Sequence, residues 1–296
     1  MNARAGLLPG SAAALAAAPY LRLCKPGIAA LATFSAWAAA GLAGPRPGGP
    51  IVPTLAGVFI LACGCGALNQ YQERALDARM PRTCRRPLPA GEIRPRAALI
   101  FALTLMPAGL LLLQRGGGTA AALLGLSAVI WYNGVYTGLK QRTAFAVFPG
   151  ALVGAIPPAI GWVGAGGSLA DPRLLSLCGL LFLWQVPHFG LLLLAHGEDY
   201  ARGGLPVLSD LLSRRQLARL VNLWLLGTAT AGLLLPLPAA AGRLPHAVLA
   251  AASLVLAASG RGILAGDRAA AGRVFHAINA YLVLVLVVAL AASAFT

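Results

Sequence analysis

Asn69-Gln-Tyr-Gln-Glu73-Arg-Ala-Leu-Asp77 emerges directly from the apolar run Ile51 to Leu68 and leads into Arg79, Arg82, Arg85 and Arg86. A membrane-length segment that ends in carboxylates and arginines suits a diphosphate held through a divalent metal. Asn69, Glu73 and Asp77 are spaced i, i+4, i+8. On a helix they advance by about 40° per step and share one face over roughly 12 Å. One amide and two carboxylates in a row match Mg²⁺, which takes one or two carboxylates and fills its other positions with water and phosphate oxygens. The plainer reading pairs Glu73 and Asp77 with Arg74 or Arg79 at the membrane surface. Against it, the polar stripe Asn69 to Gln72 begins at membrane depth, where polar groups are costly and face wet cavities.

The whole chain supports a membrane setting. Of 296 residues, 58% are hydrophobic and only 10% charged, and the mean hydropathy is +0.77. These values exclude an ordinary water-soluble domain. A net charge of +15 can indicate nucleic acid, but here the cations flank apolar runs, so lipid headgroups and an anionic substrate explain them and no nucleic acid partner is expected. Five cysteines, with Cys63 and Cys65 inside an apolar run, read as packing residues, not as a disulfide framework or a metal site.

A bilayer crossing takes about 20 apolar residues. The sequence accommodates nine: Pro26 to Ala43, Ile51 to Gln72, Pro95 to Leu113, Thr119 to Leu139, Ala144 to Val163, Arg173 to Leu194, Gln216 to Leu235, Pro245 to Leu264 and Arg273 to Ala294. The expected fold is all-α, a polytopic integral membrane bundle of about nine transmembrane helices around a central cavity. Residues 1–20 read as a flexible or amphipathic lead-in, and 21–296 as one transmembrane domain. All but Arg46, Arg115, Arg173 and Arg243 of the 23 Lys and Arg fall on one side of this arrangement. The positive-inside rule makes that side cytoplasmic, with Thr296 outside. Both acid-bearing loops, Glu73 to Arg94 and His196 to Arg215, then face the cytoplasm of a cell-membrane protein.

Further polar groups gather at the same end. Arg82, Arg85 and Arg86 lie in a loop stiffened by Pro81, Pro87 and Pro89, and guanidinium groups grip phosphate with paired planar donors. Lys140 and Arg142 end the fourth span and can reach the same anion, or serve only as topological anchors. Glu198 and Asp199 are the acids of the second loop, candidates for a second metal or for orienting the first set. Pro187 is expected to distort the helix where Gln185 and His188 project. His188 has three open roles: base, axial ligand to a metalloporphyrin, or packing residue. Tyr71, Tyr132, Tyr136, Trp184 and Phe189 can shelter a carbocation or form an interfacial belt.

Asn69-x3-Glu73-x3-Asp77, Arg86-Pro-Leu-Pro-x-Gly91, Tyr136-Thr-x-x-Leu-Lys140, Gly154-Ala-Ile-Pro-Pro158 and Trp184-Gln-x-Pro-His-Phe189 together resemble the UbiA-type intramembrane prenyltransferase superfamily. The last three, with Asp199-Tyr200-x3-Gly204-x-Pro206, resemble its protoheme IX farnesyltransferase (haem O synthase) branch, over roughly residues 20 to 290. The resemblance implies a nine-helix bundle, Mg²⁺-dependent activation of farnesyl diphosphate, and farnesyl transfer to a vinyl group of haem b to give haem O. It implies a haem A synthase or terminal oxidase as assembly partner. Asn69, Glu73, Asp77 and Asp199 become the catalytic and metal residues, with Glu198 a further metal ligand. Arg82, Arg85, Arg86, Lys140 and Arg142 become the diphosphate site, and Tyr136, Trp184, Gln185 and His188 the acceptor site. Glu73 departs from the Asp usual in the family, one methylene longer. The competing readings are a sibling prenyltransferase with a phenolic or quinone-precursor acceptor, and a membrane transporter whose acids bind ions.

Overall fold

The computed structural model describes residues 9–44, 51–267 and 269–295, with side chains from residue 17. The first eight residues of the expected lead-in, the connection containing Arg46, and Thr296 lie outside the described residues. Helices dominate because the apolar runs carry the backbone hydrogen bonds internally, as lipid requires. In chain order they are α1 (Pro9–Cys24), α2 (Pro26–Ala43), α3 (Val52–Asp77), α4 (Pro95–Val129), a π-helical turn (Ile130–Tyr136), α5 (Thr137–Leu139), α6 (Val147–Gly164), α7 (Pro172–Arg202), α8 (Leu208–Leu211), α9 (Arg214–Leu233), α10 (Arg243–Leu264) and α11 (Ala270–Ser293). Proline sits in the first turn of α2, α3, α4 and α7, where its missing N–H has no intrahelical partner to lose. Ser213 and Gln216 close a capping box on α9.

Among the described residues, seven helices are long and apolar enough to cross a membrane. One of them, running from Pro95 to Leu139, contains two of the expected spans. Its dihedrals break at Gly118, φ 76° and ψ −173°, a conformation only glycine adopts without strain. The two arms fold back on each other, since Gly125 lies against Leu113 and Leu110. Another expected span, α9, has the length but carries Arg214, Arg215 and Arg219 at its start and falls outside the apolar set. In α7 the dihedral break is at His196, φ −132° and ψ 27°, and not at Pro187. A helix can absorb proline's lost hydrogen bond by bending while each residue keeps helical dihedrals.

Helix contacts run α2–α3–α4–α6–α7–α9–α10–α11 and return to α2, so the bundle closes on itself. One apolar core joins α7, α9, α10 and α11, including Leu177, Leu225, Ile278 and Leu286. A second joins α2, α3, α4 and α6 around Ala36, Leu61, Leu113 and Ile160. Leucine and isoleucine side chains such as Ile100, Leu123 and Leu254 point outward, as they do on a lipid-facing surface. The chain is a multi-pass membrane protein.

Glycine sets the closest helix approaches. A Cβ on Gly161 would stand 1.9 Å from the Ala36 carbonyl oxygen, backbone on backbone. Small residues at such crossings let helix axes approach where apolar burial provides no drive. Gly161→Ala should therefore push α2 from α6 and cost about 1–3 kcal/mol, visible as a lower unfolding temperature in detergent. Gly179→Ala, with open space around its Cβ position, should leave that temperature unchanged or slightly raised.

Candidate active site

The last three turns of α3 carry the acceptor row, and each member faces a cation from a different part of the chain. Lys25 Nζ donates to Asn69 Oδ1 at 2.9 Å. Lys140 Nζ donates to both oxygens of Glu73, at 2.9 and 3.0 Å. Arg86 Nη1 donates to both oxygens of Asp77, each at 2.8 Å. Asn69 and Glu73 are 3% exposed and Asp77 is 0% exposed. The acids therefore do not pair with Arg74 or Arg79. Arg74 turns back over the Tyr71 ring at 4.4 Å and donates to the Tyr71 carbonyl.

The surrounding backbone is shaped to hold this row. Loop 78–94 folds back on the end of α3 by turns, with Thr83 donating to the Asp77 carbonyl at 2.9 Å. The opposite wall is the π-helical turn. Its wider winding frees the Asn133 carbonyl, which accepts from Gln72 Nε2 at 2.9 Å, while Asn133 Nδ2 donates to the Cys65 carbonyl at 3.0 Å. Asn69 Nδ2 donates to Thr137 Oγ1, which in turn donates to the Tyr132 carbonyl. A single π turn inside a helix commonly marks a functional site.

Lys25 was not singled out from sequence, yet it is central. It sits at the α1–α2 junction with φ 51° and ψ 58°, a left-handed conformation that costs a non-glycine residue about 1–3 kcal/mol. Enclosure of its ammonium, followed by repulsion from Arg86, pulls its pKa from 10.5 down to about 8, with Glu73 opposing the shift. Lys25 also lines a cleft of about 350 Å³ with Arg22, Arg82, Arg85, Arg86 and Gln70. Arg22 pairs with Glu92 there. Five cations line this one cleft, a lining whose charge suits an anion.

The second loop reaches the first. Arg82 lies 5.9 Å from the Tyr200 ring centre, and the Gly203 backbone packs on Met80. Asp199 is largely covered, 3.9 Å from Arg202, whereas the Glu198 side chain is 93% exposed and 3.7 Å from Arg202. Arg85 and Arg142 are exposed. The structure thus joins Asn69, Glu73, Asp77, Arg86 and Lys140, brings Arg82 and Asp199 to the same end, and turns Glu198 outward. Among the described residues no three His, Cys, Asp or Glu side chains are grouped closely enough to hold a metal ion. The donor set still fits Mg²⁺: two carboxylates beside an amide supply its protein ligands, leaving the remaining positions to water and phosphate.

An aromatic wall runs from this polar end toward α7 and α11. Tyr132 stacks on Tyr136 at 5.9 Å and Tyr136 on Phe189 at 6.5 Å. His188 follows, 5.8 Å from Phe189 and 4.7 Å from both Trp184 and Phe275. Trp184 is buried and donates to the Ile278 carbonyl at 2.9 Å. Gln185 packs against Gly154, where a Cβ would stand 2.2 Å from its Oε1. Charged groups thus lie at one end and a run of ring faces at the other, a lining suited to an amphiphile with an anionic head.

Such a bundle and site characterise intramembrane prenyltransferases. The chain belongs to the UbiA prenyltransferase family, whose model matches residues 29–285. It is similar to the protoheme IX farnesyltransferase of Geobacter sulfurreducens, 44% identical over 73% of this chain and 80% of the relative. It is likewise similar to those of Oleidesulfovibrio alaskensis, 41% identical over 75% and 77%, and Anaeromyxobacter dehalogenans, 38% identical over 82% and 77%. Its fold is shared by a digeranylgeranylglyceryl phosphate synthase, TM-score 0.70 at 14% identity, covering 94% of this chain and 98% of that one. A UbiA homologue from Archaeoglobus fulgidus bound to GPP and Mg²⁺ shares it too, TM-score 0.65 at 15% identity, covering 93% and 99%.

The depressed Lys25 pKa has a signed consequence for stability. Between about pH 8 and 10.5 the folded chain holds fewer protons on Lys25 than the unfolded chain does, so stability from this residue rises with pH across that window. Below it the full cost of the enclosed charge remains. The unfolding temperature of wild type relative to Lys25→Met should move in favour of wild type as pH rises through this window; a pH-independent difference would refute the shift.

Proposed function

We propose that this chain transfers the farnesyl group of farnesyl diphosphate to a vinyl group of haem b, giving haem O. The observation that carries the reading is the continuity of the site: a buried acid–cation row leads into a wall of aromatic rings that ends at His188. The relatives named protoheme IX farnesyltransferase supply the donor and acceptor chemistry.

In this reading Lys25, Lys140, Arg82 and Arg86 bind the diphosphate and take up the charge that grows on it as the allylic carbon–oxygen bond breaks. Arg85 and Arg142, at the exposed rim, assist in its capture. Glu73 and Asp77, with Asn69 beside them and Asp199 at the same end, would hold Mg²⁺, which when bound would supply further neutralisation of the leaving group. Tyr132, Tyr136 and Phe189 present ring faces to the farnesyl cation and keep water from it. The vinyl carbon of the porphyrin bonds to the farnesyl terminus as diphosphate departs. Water then adds to the cation left on the porphyrin side chain and gives up one proton. Tyr136, Trp184, Gln185 and His188 form the acceptor end. The polar end faces the cytoplasm, where farnesyl diphosphate is soluble, with the N terminus on the same side; a haem A synthase or terminal oxidase is the expected recipient of the product.

Protein reconstituted in lipid with haem b, farnesyl diphosphate and Mg²⁺ should yield, by mass spectrometry, a haem heavier by one farnesyl group plus water. Diphosphate release with prenylation of a phenolic acceptor in place of haem would refute the acceptor while keeping the reaction class. Glu73→Gln and Asp77→Asn should each lower turnover on the order of 10²-fold or more. Glu198→Gln, at an exposed position, should stay within about twofold of wild type. Wild-type rates in both carboxylate variants would refute the proposed polar site.

A further inference from the structure

His188 is tied to α11 through a side chain the reaction has not used so far. Its Nδ1 lies 3.1 Å from Asn279 Oδ1. Asn279 has no freedom in how it meets the ring, because its Nδ2 donates to the Phe275 carbonyl at 2.6 Å. A carbonyl can only accept, so the amide nitrogen faces Phe275 and the amide oxygen faces His188. That oxygen is also only an acceptor. His188 Nδ1 must therefore carry the proton, and in the neutral ring Nε2 holds the lone pair.

The surroundings select among the three roles open to this histidine. Its ring contacts are Trp184, Phe189 and Phe275, and its one described polar partner is the Asn279 amide. Among the described residues no carboxylate or hydroxyl is hydrogen-bonded to the ring to relay a proton from it, which disfavours a base. A packing residue would have no need of a fixed tautomer, and phenylalanine would fill the same aromatic nest without burying a polar edge. A neutral imidazole with Nδ1 hydrogen-bonded to an acceptor and Nε2 free is the arrangement proteins use to present histidine to a metal. The flat, apolar, iron-centred acceptor of the proposed reaction takes such a ligand axially.

We propose that Asn279 is a positioning residue that locks His188 as the Nδ1–H tautomer, so that Nε2 binds the iron of the acceptor haem. This rests on haem b being the acceptor. Axial ligation would fix the porphyrin plane at the aromatic end of the site and leave the choice of vinyl group to rotation about the iron–nitrogen axis. Gln185, one turn away on the Gly154 side of α7, is placed to limit that rotation.

Resonance Raman spectra of ferrous haem b bound to the protein in lipid nanodiscs test this directly. An iron–histidine stretching band is expected in wild type, lost in His188→Ala and restored by added imidazole. Asn279→Leu should shift the band to lower frequency, because an unbonded Nδ1–H makes a poorer donor ligand, and Asn279→Asp should shift it higher. A change that merely loosened packing would broaden the band without these opposite shifts. A band unchanged in His188→Ala, or unmoved in both Asn279 variants, overturns the proposal even if haem is farnesylated at the wild-type rate. Failure of wild type to bind haem b at all overturns the acceptor reading and the ligand assignment together.

Discussion

Three acceptor side chains buried in series on α3 can exist at membrane depth only because each is opposed by a cation. An unpaired carboxylate there would be prohibitively costly, and removing one partner of a buried pair costs about 3–5 kcal/mol. The partners come from the α1–α2 junction, the loop after α3 and the end of α5. The row therefore fixes how these separate segments converge. Packing alone would not choose their register so sharply, since lipid-facing helices slide at little cost in apolar burial. The same pairing makes the site responsive. In the proposed reaction the anionic oxygens of the substrate would take over the cations and a divalent metal the acids, so charge alternation would be kept and no ion left bare.

The acidic row was legible in the sequence because periodicity carries it: residues i, i+4 and i+8 share a helix face whatever the tertiary structure. Arg86 and Lys140 were legible as types of residue suited to phosphate, close after helix ends. Lys25 was not. It stands 44 positions before Asn69, ahead of a proline, where a basic residue reads as a membrane-surface anchor. Only the left-handed turn at this residue aims its ammonium inward, and residues before proline are ordinarily driven to extended conformations. Asn279 was hidden for a similar reason, since its role depends on which neighbour its amide faces and not on any local pattern.

The π-helical turn from Ile130 to Tyr136 shows how tertiary partners override local propensity. Nothing in Ile-Trp-Tyr-Asn-Gly-Val-Tyr demands an extra residue per turn. The gain comes from Gln72 and Cys65, which pair with the carbonyl and amide of Asn133 once the winding widens. Hydropathy has the matching limitation for crossings. It placed the break between the third and fourth spans over residues 114–118, whereas the helix runs on through residues 114–117 and reverses at Gly118, and α9, with arginines in its first two turns, lies outside the seven apolar helices.

The order of chemistry along the site follows from what each half can tolerate. Charged groups cluster at a helix end, where each buried carboxylate stands beside its own cation. Rings take over deeper, where their faces would stabilise the carbocation of the proposed reaction through their quadrupoles. A lysine or carboxylate among those rings would trap the cation, and a ring among the carboxylates would displace a phosphate ligand. Tyr136 joins the two halves: it stacks on Phe189 and lies within electrostatic reach of Glu73, and the Gly150 backbone, which has no side chain to displace the ring, packs beneath it.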